Sequence, residues 1–352
     1  MSLVTHPRFL LFAIASVVLS LSACILALLG ADVYVHHRFE YVAGVNIRGY
    51  RGAVAGRKRP HQVRIVTLGG STVLNWGQPF EESFPAQLDI ALNKSSAASA
   101  RPFSVVNLGF STEGAFTFRY TLADYDYLGP DIALLYEGYN DLSVPNLKMV
   151  RHESAVFRWT GYFPMLPMVA QEKAMQLRSG DIHEAYRGRV VFRPSAVART
   201  KAALLEASVS IVKSLEASAA TSHPDTPLVT DVRGDCSPPW RFYCQSIGAA
   251  VDSALARHSA AMVVTQPYLN DLHRDQQREL REMLRRRYGV NPLVMYVDLG
   301  NAVDLADPSL CWDGMHLLAE GNRRIARALT PAVQQMVQSP AFQRGKGLSD
   351  NN

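Results

Sequence analysis

Ile65-Val66-Thr67-Leu68-Gly69-Gly70-Ser71-Thr72 joins an apolar, β-branched run to a glycine pair and a serine. It reads as a buried strand of a parallel sheet, entering a turn that delivers one hydroxyl at the strand's carboxyl end. In an open α/β sheet, ligands bind outside the carboxyl ends of the strands. Two glycines ahead of a serine permit a tight turn and close approach of other backbone to the hydroxyl. A Gly-Gly-Ser turn alone is more often only a turn, so the weight falls on what the rest of the chain brings beside it.

The same pattern recurs downstream. Apolar runs expected to be strands cover residues 62–68, 103–108, 131–136, 260–265 and 293–299. Expected helices separate and follow them: 82–92, with Phe84, Leu88 and Leu92 at helical spacing, then 195–219, 245–258, 271–288 and 312–336, while 110–123 leads into another helix. Strands alternating with helices argue for βαβ units. The expected class is α/β with a five-stranded parallel sheet, over residues 62–337. Residues 144–194 interrupt the rhythm and are too long for an ordinary connection. They hold Phe157-Arg158-Trp159-Thr160-Gly161-Tyr162-Phe163-Pro164 and read as an insertion that either shapes access to the site or packs as a helical flap. On the helix at 271–288, Arg278, Arg281 and Arg285 read as a solvated face balanced by Asp275, Glu279 and Glu282. Residues 224–244 are expected as an irregular loop, 32–61 as a polar, Gly- and Arg-rich stalk, and 338–352 as a frayed tail.

The chain has 352 residues, 48% of them apolar, enough for a substantial core. A formal charge of +5 without a clustered basic face argues against nucleic-acid binding. Residues 9–29 carry no charged side chain, and about 20 such residues span a bilayer core. With Arg8 in front, residues 1–31 read as an uncleaved signal anchor, a transmembrane helix, or as a cleaved signal peptide; the length of the run favours the anchor. Leu21-Ser22-Ala23-Cys24 resembles a lipoprotein cleavage box, which makes lipidation of Cys24 the alternative. Cys236 and Cys244 flank Ser-Pro-Pro-Trp-Arg-Phe-Tyr and could close a small disulfide loop in an oxidising compartment, leaving Cys311 as the odd one. The body of the protein is therefore expected to face the periplasm or exterior of a bacterial inner membrane.

Four candidate clusters fall at the same edge of the expected sheet. Ser71 follows the first strand, Gly109 the second and Asn140 the third, while Asp313 and His316 follow the fifth and open the last helix. Each residue type suits acyl transfer. A serine hydroxyl becomes a nucleophile once a base takes its proton. Imidazole titrates near neutrality and is the natural base. Asp313, three residues before His316, could hold the imidazole tautomer. The N–H groups of Ser71 and Gly109 and the amide of Asn140 could form an oxyanion hole.

On these blocks the sequence resembles the SGNH/GDSL hydrolases. Gly69-Gly70-Ser71-Thr72 resembles the nucleophile block and Asn107-Leu108-Gly109 the glycine block. Gly138-Tyr139-Asn140-Asp141 and Asp313-Gly314-Met315-His316 match the last two intact. The family's usual Asp before the serine is Gly70 here. The resemblance covers about residues 62–335. It implies a three-layer αβα sandwich and carboxylic ester hydrolysis without metal or organic cofactor.

Other motifs fail. Val73 stands where a Gly-x-Ser-x-Gly elbow needs its second glycine. Ser210-Ile211-Val212-Lys213 has Ser-x-x-Lys spacing but sits inside an expected helix. There is no zinc-spaced Cys/His array, P-loop or dinucleotide fingerprint. The expected activity is a serine esterase acting on a small acyl ester, such as acetyl, on an envelope or extracellular glycan. The alternatives are an acyltransferase onto polysaccharide, a lipase or lysophospholipase, and, least favoured, a non-catalytic binding module.

Overall fold

Every residue of the strand that precedes Ser71 is buried on both faces of its sheet. In the computed structural model, which describes residues 7–40, 44–95, 101–143, 145–181, 193–219 and 236–347, this strand is β1 (Val63–Leu68). It is followed by α2 (Ser71–Leu74), α3 (Phe84–Ser95), β2 (Phe103–Asn107), α4 (Phe118–Asp124) and β3 (Ile132–Tyr136). After β3 come α5 (Val150–Glu153), α6 (Ala155–Thr160), α7 (Leu166–Ser179) and α8 (Ala196–Ala219). The chain then forms α9 (Arg241–Ala256), β4 (Ala260–Val264), α10 (Asp271–Tyr288), β5 (Val294–Val297), α11 (Ala319–Gln338) and α12 (Pro340–Gly347). A long N-terminal helix, α1 (Pro7–Phe39), precedes them all.

The five strands are parallel, in the order β2-β1-β3-β4-β5. The chain moves from β1 outward to β2, then crosses back over β1 to β3 and onward. With right-handed crossovers, that reversal puts α3 on one face and the later connecting helices on the other. One face packs Val63, Ile65, Ile132, Leu134 and Met262 against Phe84, Leu88 and Leu92 of α3 and Ile325, Leu329 and Val333 of α11. Strand periodicity sends Val66, Ala133, Leu135 and Val263 the other way, toward the layer of α4, α9 and α10. The result is the three-layer αβα sandwich. Reversal of the order also leaves a crevice between the carboxyl ends of β1 and β3, the usual ligand position of such sheets.

The chain divides into two compact units: residues 40–163 with 216–352, which contain the sheet, and residues 1–39 with 164–215. In the second of these, α1 meets α7 where the N–H of Leu166 donates to Asp32 Oδ1 at 2.6 Å, and Asp32 pairs with His36 at 3.3 Å. Arg178 of α7 pairs with Glu206 of α8 at 2.5 Å. α1 contains one stretch, Phe9–Phe39, long and apolar enough to cross a membrane.

Several boundaries differ from the sequence reading. The N-terminal helix does not stop at residue 31 but runs on to Phe39. The expected stalk is partly core: Val45, Asn46, Tyr50 and Arg51 are all buried, and the N–H of Arg51 donates to the carbonyl of Asn107 along the free edge of β2. The insertion is shared between units: residues 145–163 pack with the sheet and 164–181 with α1, while 182–192 lie outside the described residues. Part of the loop expected over 224–244 is likewise outside them, but Cys244 lies within α9. The tail is helical through Gly347 because Phe342 buries against the core face; residues 348–352 lie outside the described set.

Candidate active site

Ser71 is the first residue of α2, immediately after the Gly69-Gly70 turn that ends β1. The short helix stops at Asn75, in the left-handed region at φ 62°. Asparagine tolerates that conformation better than most residues, and Asn75 is held there by Asn322 Nδ2 at 2.9 Å. Gly70 keeps the place beside Asn140 open: a Cβ there would lie 2.1 Å from Asn140 Nδ2 and 3.1 Å from the carbonyl oxygen of Glu113.

His316 arrives from the far end of the chain. Its Nε2 lies 2.8 Å from Ser71 Oγ, and its Nδ1 lies 2.7 Å from Asp313 Oδ2. These two residues do not open a helix, contrary to the sequence expectation. They form a side-chain-capped turn ahead of α11, in which Asp313 Oδ1 accepts the N–H of Met315 at 3.0 Å and of His316 at 2.7 Å. Gly314 supplies the positive φ of 82° that the turn needs, which a helical start would forbid. Burial alone would raise the Asp313 carboxyl. The hydrogen bonds from the His316 ring and N–H, and the imidazole's charge, outweigh it and hold the group below its usual range. The Trp312 ring stacks on the imidazole at 5.5 Å between centroids, and Trp76 flanks it at 6.0 Å. A hydroxyl facing an imidazole whose second nitrogen meets a carboxylate is the arrangement that moves a proton off the hydroxyl.

Asn140 follows β3, across the crevice from Ser71. Its Nδ2 donates one hydrogen to the carbonyl of Glu113 at 2.8 Å, and an amide nitrogen carries two. The N–H of Ser71 has no acceptor among the described residues. Gly109 is different. Its single N–H already donates to Asn107 Oδ1 at 3.0 Å, so it is not placed as an oxyanion donor. Its missing side chain serves packing instead: a Cβ there would lie 2.5 Å from the Leu74 nitrogen and 2.7 Å from Val73 Cβ. Asn107 also donates to the carbonyl of Val73 at 2.7 Å, fastening the serine's helix to β2.

Other site residues were not singled out by the sequence reading. Gln266, after β4, donates to Thr72 Oγ1 at 2.8 Å and accepts the N–H of Tyr139 at 3.0 Å. Glu137 is buried beneath the turn, where its Oε1 accepts the N–H groups of Gly138 at 3.0 Å and Asn140 at 3.2 Å. Burial, then the Asp141 charge, push its carboxyl up; burial does the same to Asp141, whose Oδ2 accepts the Ala115 N–H at 2.9 Å. The available signal was position, since both flank the Gly138-Tyr139-Asn140 turn. Among the described residues, no three His, Cys, Asp or Glu side chains converge as a metal would require.

Cys236 and Cys244 form a disulfide with Cα atoms 6.2 Å apart. The loop is docked on α10, where Trp240 Nε1 donates to Asp275 Oδ2 at 2.8 Å. Cys24 is exposed and Cys311 buried, both as free thiols.

No family model and no curated protein matches the chain. Solved structures with a related backbone include a G-D-S-L family protein from Desulfitobacterium hafniense. It is 14% identical, covers 76% of this chain and 98% of its own, and has a TM-score of 0.39. A family 3 carbohydrate esterase from Clostridium thermocellum is 9% identical, covers 78% and 97%, with a TM-score of 0.41. An acetylxylan esterase from Geobacillus stearothermophilus is 13% identical, covers 76% and 93%, with a TM-score of 0.40. At these values the functional reading rests on the geometry of the site.

Proposed function

We propose that this chain is a serine ester hydrolase of the SGNH/GDSL kind, tethered to a membrane by α1. The observation that carries the reading is the continuous line Asp313 Oδ2, His316 Nδ1, His316 Nε2, Ser71 Oγ, with both contacts under 3 Å. In this reading His316 takes the Ser71 proton as Oγ attacks the ester carbonyl. Asp313 holds the ring so that Nδ1 carries a hydrogen and Nε2 is the base. The Ser71 N–H and the second amide hydrogen of Asn140 meet the developing oxyanion. The imidazolium then protonates the leaving alcohol, and a water activated by His316 releases the acyl group.

The substrate reading is a small acyl ester on a glycan of the envelope or exterior. Trp312 and Trp76 give the imidazole side of the site an aromatic wall, suited to the apolar face of a sugar ring. The buried disulfide supports an oxidising compartment, and with it the reading of a sheet-bearing unit in the periplasm or outside the cell.

The test is labelling and turnover. A fluorophosphonate should modify Ser71, and Ser71→Ala should abolish both labelling and hydrolysis of an activated acetyl ester while the protein stays folded. Undiminished turnover by that variant would sink the assignment. Product analysis with an added sugar acceptor separates hydrolysis from acyl transfer, and phospholipid substrates test the lipase alternative.

A further inference from the structure

We propose that Arg151, outside the line of reacting groups, is a positioning residue that sets the orientation of the Asn140 amide through Glu113. This rests on the reading of Asn140 as an oxyanion donor.

The terminal torsion of an asparagine has two broad states, and a flip exchanges oxygen for nitrogen. Only one state presents N–H groups to an oxyanion. Glu113 decides which. Its carbonyl oxygen accepts from Asn140 Nδ2 at 2.8 Å, and a flipped amide would set Oδ1 against another oxygen. The second Nδ2 hydrogen is thereby left for the substrate. Gly70 leaves room for this pairing, since a Cβ there would stand 2.1 Å from Asn140 Nδ2 and 3.1 Å from the Glu113 carbonyl oxygen.

The Glu113 carbonyl stays in place because its loop is held at several points. The N–H of Glu113 closes a turn on Phe110 at 3.3 Å, and the next residues are fixed through the Ala115 N–H to Asp141. Thr112 is held at φ 65°, and its carbonyl accepts from Asn146 Nδ2 at 2.8 Å. The strongest tie is the Glu113 side chain, whose Oε2 meets Arg151 Nη2 at 2.8 Å with both side chains almost wholly buried. Arg151 is fixed in turn: its guanidinium lies 5.0 Å from the Phe110 ring centroid and 5.4 Å from that of Tyr125, and Nη1 donates to the carbonyl of Gly49 at 3.4 Å. A planar fork stacked between rings has one orientation, which a lysine cannot reproduce. Both Asn146 and Arg151 come from the opening of the insertion, so part of that segment supports the site.

Removing one member of a buried ion pair is destabilising because a lone charge remains, whereas removing both is far milder. The variants to compare are therefore Arg151→Met, Glu113→Gln, and the two combined, in the full-length protein with an activated acetyl ester. The expected result is a fall in kcat of about 10- to 100-fold, with KM within about threefold, as for a misplaced reacting geometry. The double variant should recover thermal stability relative to the single variants but not kcat. Arg151→Lys should restore only part of kcat.

The decisive comparison is made in the Asn140→Ala background. There, Arg151→Met combined with Glu113→Gln should produce no further loss of kcat, since the group being oriented is gone. An equal loss with and without Asn140, or a double variant with normal kcat, overturns the proposal. If Asn140→Ala itself leaves kcat within about threefold, the oxyanion reading fails first, and this inference with it.

Discussion

Gly70 and Asn140 occupy one place: a Cβ on the glycine would stand 2.1 Å from the amide nitrogen of the asparagine. That nitrogen is the movable end of a side chain, so an added methyl group displaces it at small cost in stability. Gly70→Ala is therefore expected to lower kcat by about 10-fold or more, with a small change in melting temperature. Gly70→Asp, with a larger side chain in the same place, is expected to lower activity as well. Steady-state kinetics beside thermal unfolding checks this, and unchanged kcat in Gly70→Ala would refute it.

The Trp312 ring stacked on His316 provides a second prediction. Trp312→Ala should raise KM for an acetylated oligosaccharide by about 10-fold, on the order of 1 kcal/mol as for an aromatic contact. The effect on a small activated acetyl ester should be much weaker. Trp312→Phe should lie between. Equal losses on both substrates would point to support of the imidazole and remove the sugar-wall role.

The pair Glu137 and Asp141 should shape stability against pH. Burial and mutual charge raise Glu137 to about 8, and burial raises Asp141 to about 7. Both therefore hold protons more tightly folded than unfolded. Their contribution is complete below the ordinary carboxylate range and is lost as pH rises through the folded values. His273, lowered to about 4 by burial and then by Arg274, works in the opposite sense at the acid end, so the diagnostic quantity is the difference from the unaltered protein. Urea unfolding between pH 4 and 8 should show a shallower decline in Glu137→Gln and in Asp141→Asn. Parallel curves would contradict this.

Opening the Cys236–Cys244 loop, whose cysteines are 8 residues apart, should cost about 2–3 kcal/mol by the chain-entropy argument. Unfolding with and without reductant, alongside the Cys236→Ser/Cys244→Ser double variant, measures it. A midpoint indifferent to reductant would mean that the docking of Trp240 and Ser237 on α10 already does the bridge's work.

The sheet was legible because β1, β3 and β4 are wholly buried: β3 and β4 read as unbroken apolar runs, and β1 as one interrupted only by Arg64 and Thr67. The convergence of Ser71, Asn140 and His316 followed from their places after β1, β3 and β5. What stayed hidden depends on partners distant in sequence. Arg51, Glu113 and Arg151 look like surface residues until their burial and long-range bonds are seen, and charged side chains are rarely buried without such partners. Gly109 looked like a donor because a glycine after a strand has two uses, close packing and an open N–H, which composition cannot separate. The 312–318 stretch was read as the opening of the last helix. An aspartate capping its own next residues, with glycine at positive φ, competes with helix there and wins.

Helix α1 has 33 residues, a rod of about 50 Å at 1.5 Å per residue, against a hydrocarbon core of about 30 Å. The surplus, about 20 Å, is stiff and carries Asp32 and His36, where α7 grips it. In the reading of α1 as an anchor, the end that α7 holds is what remains once the bilayer thickness is filled, so the polar grip on Asp32 falls beyond the lipid and not inside it.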